Sequence, residues 1–245
     1  MSRILATALL AALLSFAQGA AAALPSWGVE LHDRLAPGDE PDARVVALTL
    51  DACGGQFDAD LIRTLVALRV PATIFVTKKW LDRNPVGTAV LLSHPELFEL
   101  EDHGTGHVPA FIGAGRRVYG IAGEPDAAHL EAEVQQASTA IRALTGRSPA
   151  YFRGATAVYD RESMQIIGAL GYRIAGFSVN ADGGARLPES VIVRRLRALQ
   201  PGDIVIAHMN KPAGATAEAF ATVLPQLQAR GYRFITLARA QLLRH

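Results

Sequence analysis

Three short segments of the chain carry side chains that could do chemistry. They contain Asp51, the pair His103 and His107, and His208. Two imidazoles four residues apart can bind one metal ion, because imidazole suits zinc and related metals. A carboxylate and a further histidine are the groups that most often act as general base and general acid. Together these residue types predict a hydrolytic site.

Each of these residues follows an apolar run of strand length. The runs are Val45–Leu50 before Asp51, Phe98–Leu100 before His103 and Ile204–Ala207 before His208. In barrels of alternating strands and helices, active sites lie at the carboxyl ends of the strands. We therefore expect the three segments to meet at one end of the fold.

Each residue also has a plainer interpretation, and His208 could be a structural histidine hydrogen-bonded to the backbone. Asp51 could cap a turn before Gly54-Gly55, a common role of aspartate. His103 and His107 could be a core histidine and a surface histidine. Gly104 and Gly106 between them argue against a helix, so we expect a turn at a strand end that aims both imidazoles at one ion.

Two further charged residues follow strand-like runs. Arg153, after Tyr151-Phe152, is predicted to pair with Asp51 and to lower its pKa, although an ordinary structural ion pair is an equal alternative. Asp182, beyond the run Ile174–Val179, is the best candidate for the carboxylate that tunes the pKa of His208.

Cys53 is the only cysteine, so an intramolecular disulfide is excluded. It could be a nucleophile with a histidine partner, or a soft metal ligand. It could also be a small buried hydrophobic residue, the commonest fate of a free cysteine. The last interpretation is favoured.

Strand-like runs alternate with helix-period segments from about residue 44 to the end of the chain. About seven strands with helical crossovers predict a parallel sheet. No GxGxxG follows the first strand, so a dinucleotide-binding fold has no support. The Gly- and Arg-rich stretch 108–126 has no clear period and is predicted to be a long loop over the site. Residues 172–180 are predicted to form one strand.

Length and composition limit the class of protein. The chain has 245 residues, and residues 1–23 resemble a signal peptide, with Arg3, the apolar Ile4–Phe16 and small residues before Leu24. We expect residues 24–245 to form a single domain without a membrane anchor. The mature protein is then expected to be a monomer in the periplasm or outside the cell. With 24 basic and 23 acidic side chains and no basic run, nothing suggests nucleic acid as a partner.

The motifs resemble those of the polysaccharide deacetylase family, the fourth carbohydrate esterase family, over residues 44–237. The resemblance implies a distorted (β/α)7 barrel, an α/β fold similar to a TIM barrel. It also implies a divalent metal, most simply zinc, held by His103 and His107. Asp51 would be the base, Arg153 would orient it, and His208 would be the acid. The implied substrate is an acetylated polysaccharide.

The sequence departs from the family pattern at three places. Ala52 stands where a second aspartate normally completes the metal site, and Ala155-Thr156 replaces the usual Pro-Tyr. The segment 179–185 lacks the usual tryptophan. Asp102 could move in as the third ligand or could simply cap a turn, and the two readings are evenly balanced.

The expected function is therefore hydrolysis of a non-peptide C–N bond, the removal of N-acetyl groups from a polysaccharide. One rival is a decayed barrel that binds carbohydrate or serves as a scaffold. A second rival is a metal-free thiol hydrolase that uses Cys53 and a histidine.

Overall fold

The structure is a computed structural model that describes residues 24–36, 44–240 and 242–244. The predicted signal peptide, residues 1–23, lies outside the described residues. Within the described part of the chain, no helix combines the length and the apolar character needed to cross a membrane.

The described residues form fourteen strands and seven helices. The strands are β1 Val29–Glu30, β2 Asp33–Leu35, β3 Arg44–Ala52, β4 Ala72–Val76, β5 Phe98–Asp102, β6 Arg117–Val118, β7 Ile121–Ala122, β8 Tyr151–Phe152, β9 Val158–Tyr159, β10 Arg173–Ile174, β11 Val179–Asn180, β12 Ile204–His208, β13 Tyr232–Ile235 and β14 Leu242–Arg244. The helices are α1 Ala59–Ala67, α2 Lys78–Arg83, α3 Pro85–Leu92, α4 Ala127–Thr145, α5 Arg161–Ala169, α6 Glu189–Arg197 and α7 Thr216–Ala229, and a 3₁₀ turn spans Leu237–Arg239.

The central sheet has eight strands. Seven follow the order β10-β8-β5-β4-β3-β12-β11, and β13 pairs with the first half of β3. Its ladders are all parallel, as helical crossovers require. The sheet is curled. Arg153, next to β8, contacts Thr49 in β3 although two strands lie between them, and a flat sheet would not allow this contact. The predicted α/β class with a parallel, barrel-like sheet in a single domain is confirmed.

Side chains of β3 alternate between the two faces of the sheet. Val46, Leu48, Leu50 and Ala52 pack in the apolar layer between the sheet and the helices. Residues 47, 49 and 51 point to the opposite face, the inside of the curl, where Thr49 and Asp51 contact Arg153. This period of two follows from the pleat of a strand, and it decides which residues can reach the site.

Two predicted elements differ from those observed. The stretch 108–126, predicted to be a long loop over the site, contains the antiparallel hairpin β6–β7 around Tyr119-Gly120, both with positive φ. Two-residue strands are too short to show a period. The helix α2 was also not predicted, since it is only six residues long and polar; Thr77 caps it by accepting from the Trp80 amide.

The strand predicted over residues 172–180 is divided into β10 and β11. The intervening backbone instead contacts the N-terminal segment: the Gly176 amide donates to Asp33 Oδ2, and the Phe177 amide donates to the Leu31 carbonyl. A Cβ at Gly176 would lie 2.3 Å from the Leu31 oxygen, so only glycine permits this approach. A contact from a distant segment therefore ends the strand.

Candidate active site

Four strands of the curled sheet end at one place. Asp51 lies beside His208 in the ladder between β3 and β12. His103 directly follows β5, where its amide donates to the Val76 carbonyl, and Arg153 directly follows β8. The carboxyl ends of separate parallel strands thus bring together residues that are up to 157 positions apart in the chain.

Arg153 holds Asp51 in place. Its Nη1 donates to Asp51 Oδ1 over 3.0 Å and to Thr49 Oγ1 over 2.7 Å. The guanidinium also donates to the carbonyls of Ala175 and Gly176 and lies over the ring of Phe75. Burial alone would raise the pKa of Asp51, but the charge of Arg153, with those of nearby histidines, keeps this pKa below its ordinary value. Asp51 is therefore an ionised carboxylate.

The ring of His103 is oriented by a backbone carbonyl. Its Nδ1 donates to the carbonyl oxygen of Arg153, which can only accept, so the proton is on Nδ1 in the neutral ring. Nε2 is then left to face Cys53 Sγ at 3.5 Å and Asp51 Oδ2 at 3.8 Å. A metal-binding histidine typically donates its second ring N–H to a carbonyl in this way.

His107 lies in a turn that a buried glutamate shapes. The His107 backbone has φ of 67°, and its ring centroid is 5.0 Å from that of His103. On either side of His107, the amides of Gly106 and Val108 donate to the carboxylate of Glu133 in α4. Sequence reasoning missed Glu133. The available signal was an acidic residue at helical spacing among the mostly apolar buried residues of α4.

His208 is paired with Asp182. His208 Nδ1 lies 2.9 Å from Asp182 Oδ1, and the His208 amide and Thr216 Oγ1 donate to Oδ2. Burial would lower the pKa of His208, but the hydrogen bond to Asp182 and the neighbouring Cys53 raise it well above the ordinary value. The ring is thus held as a proton donor, with Nε2 left free of the pairing with Asp182.

Cys53 lies among imidazoles. Its Sγ and the ring nitrogens of His103 and His107 all lie within 4.8 Å of one another, the spacing of ligands around one ion. The thiol is only partly buried. Burial would raise its pKa, but His103 and the other histidines lower it well below the usual value. The favoured interpretation of Cys53 as a small buried hydrophobic residue is therefore wrong.

Asp102 does not join this group. Its Oδ1 accepts from the Gly104 amide over 2.7 Å, so the side chain caps the turn before the histidine pair. Within the described residues, the group of donors suited to an ion consists of Cys53, His103 and His107. These residues fit a divalent metal, since two imidazoles and a thiolate are a donor set that zinc accepts.

Comparison with known proteins identifies the family and the fold. Residues 38–175 match the family described as polysaccharide deacetylase. A peptidoglycan N-acetylglucosamine deacetylase, Bc1960, is 18% identical with a TM-score of 0.68, over 83% of this chain and 89% of that one. A family 4 acetyl xylan esterase from Clostridium thermocellum, in complex with a cobalt ion, is 18% identical with a TM-score of 0.64, over 79% and 88%.

A third solved structure is a CE4 family pseudoenzyme from Bacillus anthracis, BA3943. It is 21% identical with a TM-score of 0.63, and the match covers 81% of this chain. The present chain spans 66% of the length of that protein, just under two thirds. At these identities the three structures establish a shared fold.

Proposed function

The chain belongs to the polysaccharide deacetylase family, and from that premise we propose that it is a metal-dependent hydrolase that removes N-acetyl groups from a polysaccharide. The family predicted from the motifs, and with it the class of deacetylase-like enzyme, is confirmed. The amide bond, the polysaccharide and zinc as the metal belong to the proposal.

One observation supports this function: an ionised carboxylate and a protonated histidine face the same group of metal donors. Asp51 is held ionised by Arg153, while His208 is held protonated by Asp182. Hydrolysis of an amide needs a base to take a proton from water and an acid to protonate the departing nitrogen. Environments that pull two pKa values in opposite directions mark such a division of roles.

The residues would act as follows. His103 and His107 would hold a divalent metal, which would supply Lewis acidity toward the acetyl carbonyl and the attacking water. Asp51 accepts the proton of that water as its oxygen bonds to the carbonyl carbon. His208 delivers the proton of Nε2 to the amide nitrogen as the C–N bond breaks, releasing acetate and a free amine on the sugar. Arg153 and Asp182 position these two groups without touching the substrate.

The location of the protein is a separate part of the proposal. We propose that residues 1–23 are removed on export and that the protein acts in the periplasm or outside the cell as a monomer without an anchor, on an acetylated glycan rather than nucleic acid. Mass spectrometry of the secreted protein should find Leu24 as the first residue, and an intact Met1 would contradict export.

Acetate release tests the activity. The purified protein is incubated with N-acetylated chitooligosaccharides, peptidoglycan and an acetylated exopolysaccharide, each with and without a chelator. We expect acetate from at least one glycan, its loss with chelator and its return with zinc. Acetate release that is indifferent to chelation would contradict the metal, and no release from any glycan would contradict the deacetylase.

A decayed, carbohydrate-binding barrel is the second candidate. It is favoured by Ala52, which lacks the carboxylate of the family motif, and by the shared fold with a pseudoenzyme. The two functions differ in what the purified protein contains: the enzyme should carry close to one equivalent of metal, while a decayed site should carry none and still bind a glycan in calorimetry.

A further inference from the structure

We propose that the Cys53 thiolate is the third protein ligand of the metal in this chain, in place of a carboxylate, and that the site therefore prefers soft divalent ions such as zinc and cadmium. This deepens the proposed function by assigning the metal site, but its test needs no substrate.

Cys53 lies on the side of the strand end where the site is. Ala52, the last residue of β3, packs in the apolar layer between sheet and helices and offers no donor atom. Cys53 directly follows the strand, and its Sγ lies 3.5 Å from His103 Nε2, which also faces the Asp51 carboxylate. A donor at position 53 therefore compensates for the missing one at position 52.

The backbone around Cys53 is fixed by close packing. A Cβ on Gly55 would lie 2.0 Å from the Asn210 carbonyl oxygen, so the loop meets the end of β12 backbone to backbone. The Gln56 amide donates to that same oxygen, and Thr77 Oγ1 donates to the Cys53 carbonyl over 2.7 Å. The sulfur is thus held in position rather than carried on a free loop.

Both histidines are held in orientations that allow them to bind one metal ion together with this sulfur. His103 directs Nε2 at Cys53 because its Nδ1 is committed to the Arg153 carbonyl. The turn carrying His107 is held by the carboxylate of Glu133. Three protein ligands plus an open position for water is the usual arrangement of a catalytic zinc site.

A thiolate changes which metals the site selects. Soft sulfur ligands favour zinc and similar ions, whereas magnesium and manganese prefer oxygen donors. A site with one sulfur and two nitrogen donors should therefore discriminate against hard ions more strongly than a site with a carboxylate. The variant Cys53→Asp supplies the matched comparison, because it places an oxygen donor at the position of the sulfur.

Cobalt spectroscopy of the purified protein tests the ligand directly. The protein is stripped of metal and titrated with Co²⁺, and sulfur-to-cobalt charge transfer is followed in the near ultraviolet. We expect a band that saturates at one equivalent, no band in Cys53→Asp despite binding, and an unchanged band in the control Asp102→Asn. Loss of a hydrogen bond to a metal ligand typically lowers metal affinity by about 10- to 100-fold. In Cys53→Ala, which loses a ligand itself, the affinity for Co²⁺ should fall by more than that.

Three results of these metal titrations would overturn the proposal: cobalt bound without the band, affinity unchanged in Cys53→Ala, or Zn²⁺ preference over Mn²⁺ equal in Cys53→Asp and the parent protein.

Alkylation by iodoacetamide adds a second readout, since bound zinc should protect Cys53. Equal alkylation with and without zinc would also overturn the proposal, in favour of a thiol nucleophile. Because no glycan is present, a band together with absent acetate release would reject only the deacetylase.

Discussion

Two buried sets of carboxyl groups lie on the inner face of the sheet, and they differ in what surrounds them. At the carboxyl ends of the strands, Asp51 contacts Arg153 and Asp182 contacts His208. In β5, Glu99 accepts from Thr73 Oγ1 and the Ala238 amide, and Glu101 accepts from two backbone amides. Within the part of the chain that the structure describes, neither glutamate forms an ion pair with a cation.

The different partners give opposite protonation. The pKa of Asp51 lies below its ordinary value, whereas burial, together with the neighbouring Glu99, raises the pKa of Glu101 to about 8. At neutral pH, Asp51 is therefore a base and Glu101 a neutral acid that fills space and makes hydrogen bonds. Burial of a carboxyl group does not by itself mark a functional site, because the neighbouring cation decides whether it can accept a proton.

The largest expected effect on turnover belongs to Asp51→Asn. The amide keeps the size of the side chain but cannot accept a proton, so kcat should fall by about 10²- to 10⁴-fold, the usual contribution of a general base. Steady-state kinetics measure the loss, and cobalt binding serves as control, since the metal donors are untouched. A variant with most of its rate would mean that another group is the base.

Arg153→Met tests the cation that distinguishes the two sets. Without its partner the pKa of Asp51 should rise, moving the acidic limb of the pH–rate profile upward by about 1–3 units. Urea unfolding should also show a loss of about 3–5 kcal/mol in stability, since a buried charge is left uncompensated. The double variant Asp51→Asn/Arg153→Met removes both charges and should regain part of that stability; no recovery would argue against this pair.

Asp182→Asn tests the other cation–carboxylate pair. The raised pKa of His208 depends on the Asp182 charge, so this pKa should fall in the variant, and the basic limb should move to lower pH by about 1 unit or more. The rate at low pH should be affected least, because His208 is still protonated there. A basic limb at its original position would show that His208 is not the acid.

The smallest effect on turnover is expected for Glu101→Gln. The rate should be unchanged, but the pH dependence of stability should change. In the parent protein the folded state retains a proton on Glu101 that the unfolded state loses, so stability falls as pH rises from about 4.5 to about 8. The glutamine variant should lack this fall in chemical denaturation at several pH values, and a parallel fall in both proteins would contradict the assignment.

Much of the fold and the positions of several candidate residues could be predicted from local pattern. Asp51, His103 and His208 follow apolar runs, and parallel strands bring such ends to one edge whatever lies between them. The family resemblance supplied the roles of these residues, which stay predictions. The distribution of strands and helices, and thus the α/β class, also follows from hydrophobic period, because burial of one face is required locally.

Features that depend on distant contacts could not be predicted in this way. The break between β10 and β11 is made by Asp33 and Leu31, more than 140 residues earlier in the chain. The local sequence around residues 174–179 carries no signal of this break. Glu133 lies on the buried face of α4, but its role depends on the turn at His107, whose amides it accepts from.

The sequence by itself determined the main strands of the sheet, the reactive side chains at their ends and the donors that the chain has available. Only the tertiary structure decided what surrounds Cys53, because a thiol has the same local pattern whether it is buried among leucines or placed 3.5 Å from an imidazole. The physical reason is that side-chain chemistry at this site depends on charges from other strands. Arg153 and the histidines set the protonation of Asp51 and Cys53, and the curl of the sheet sets their distances.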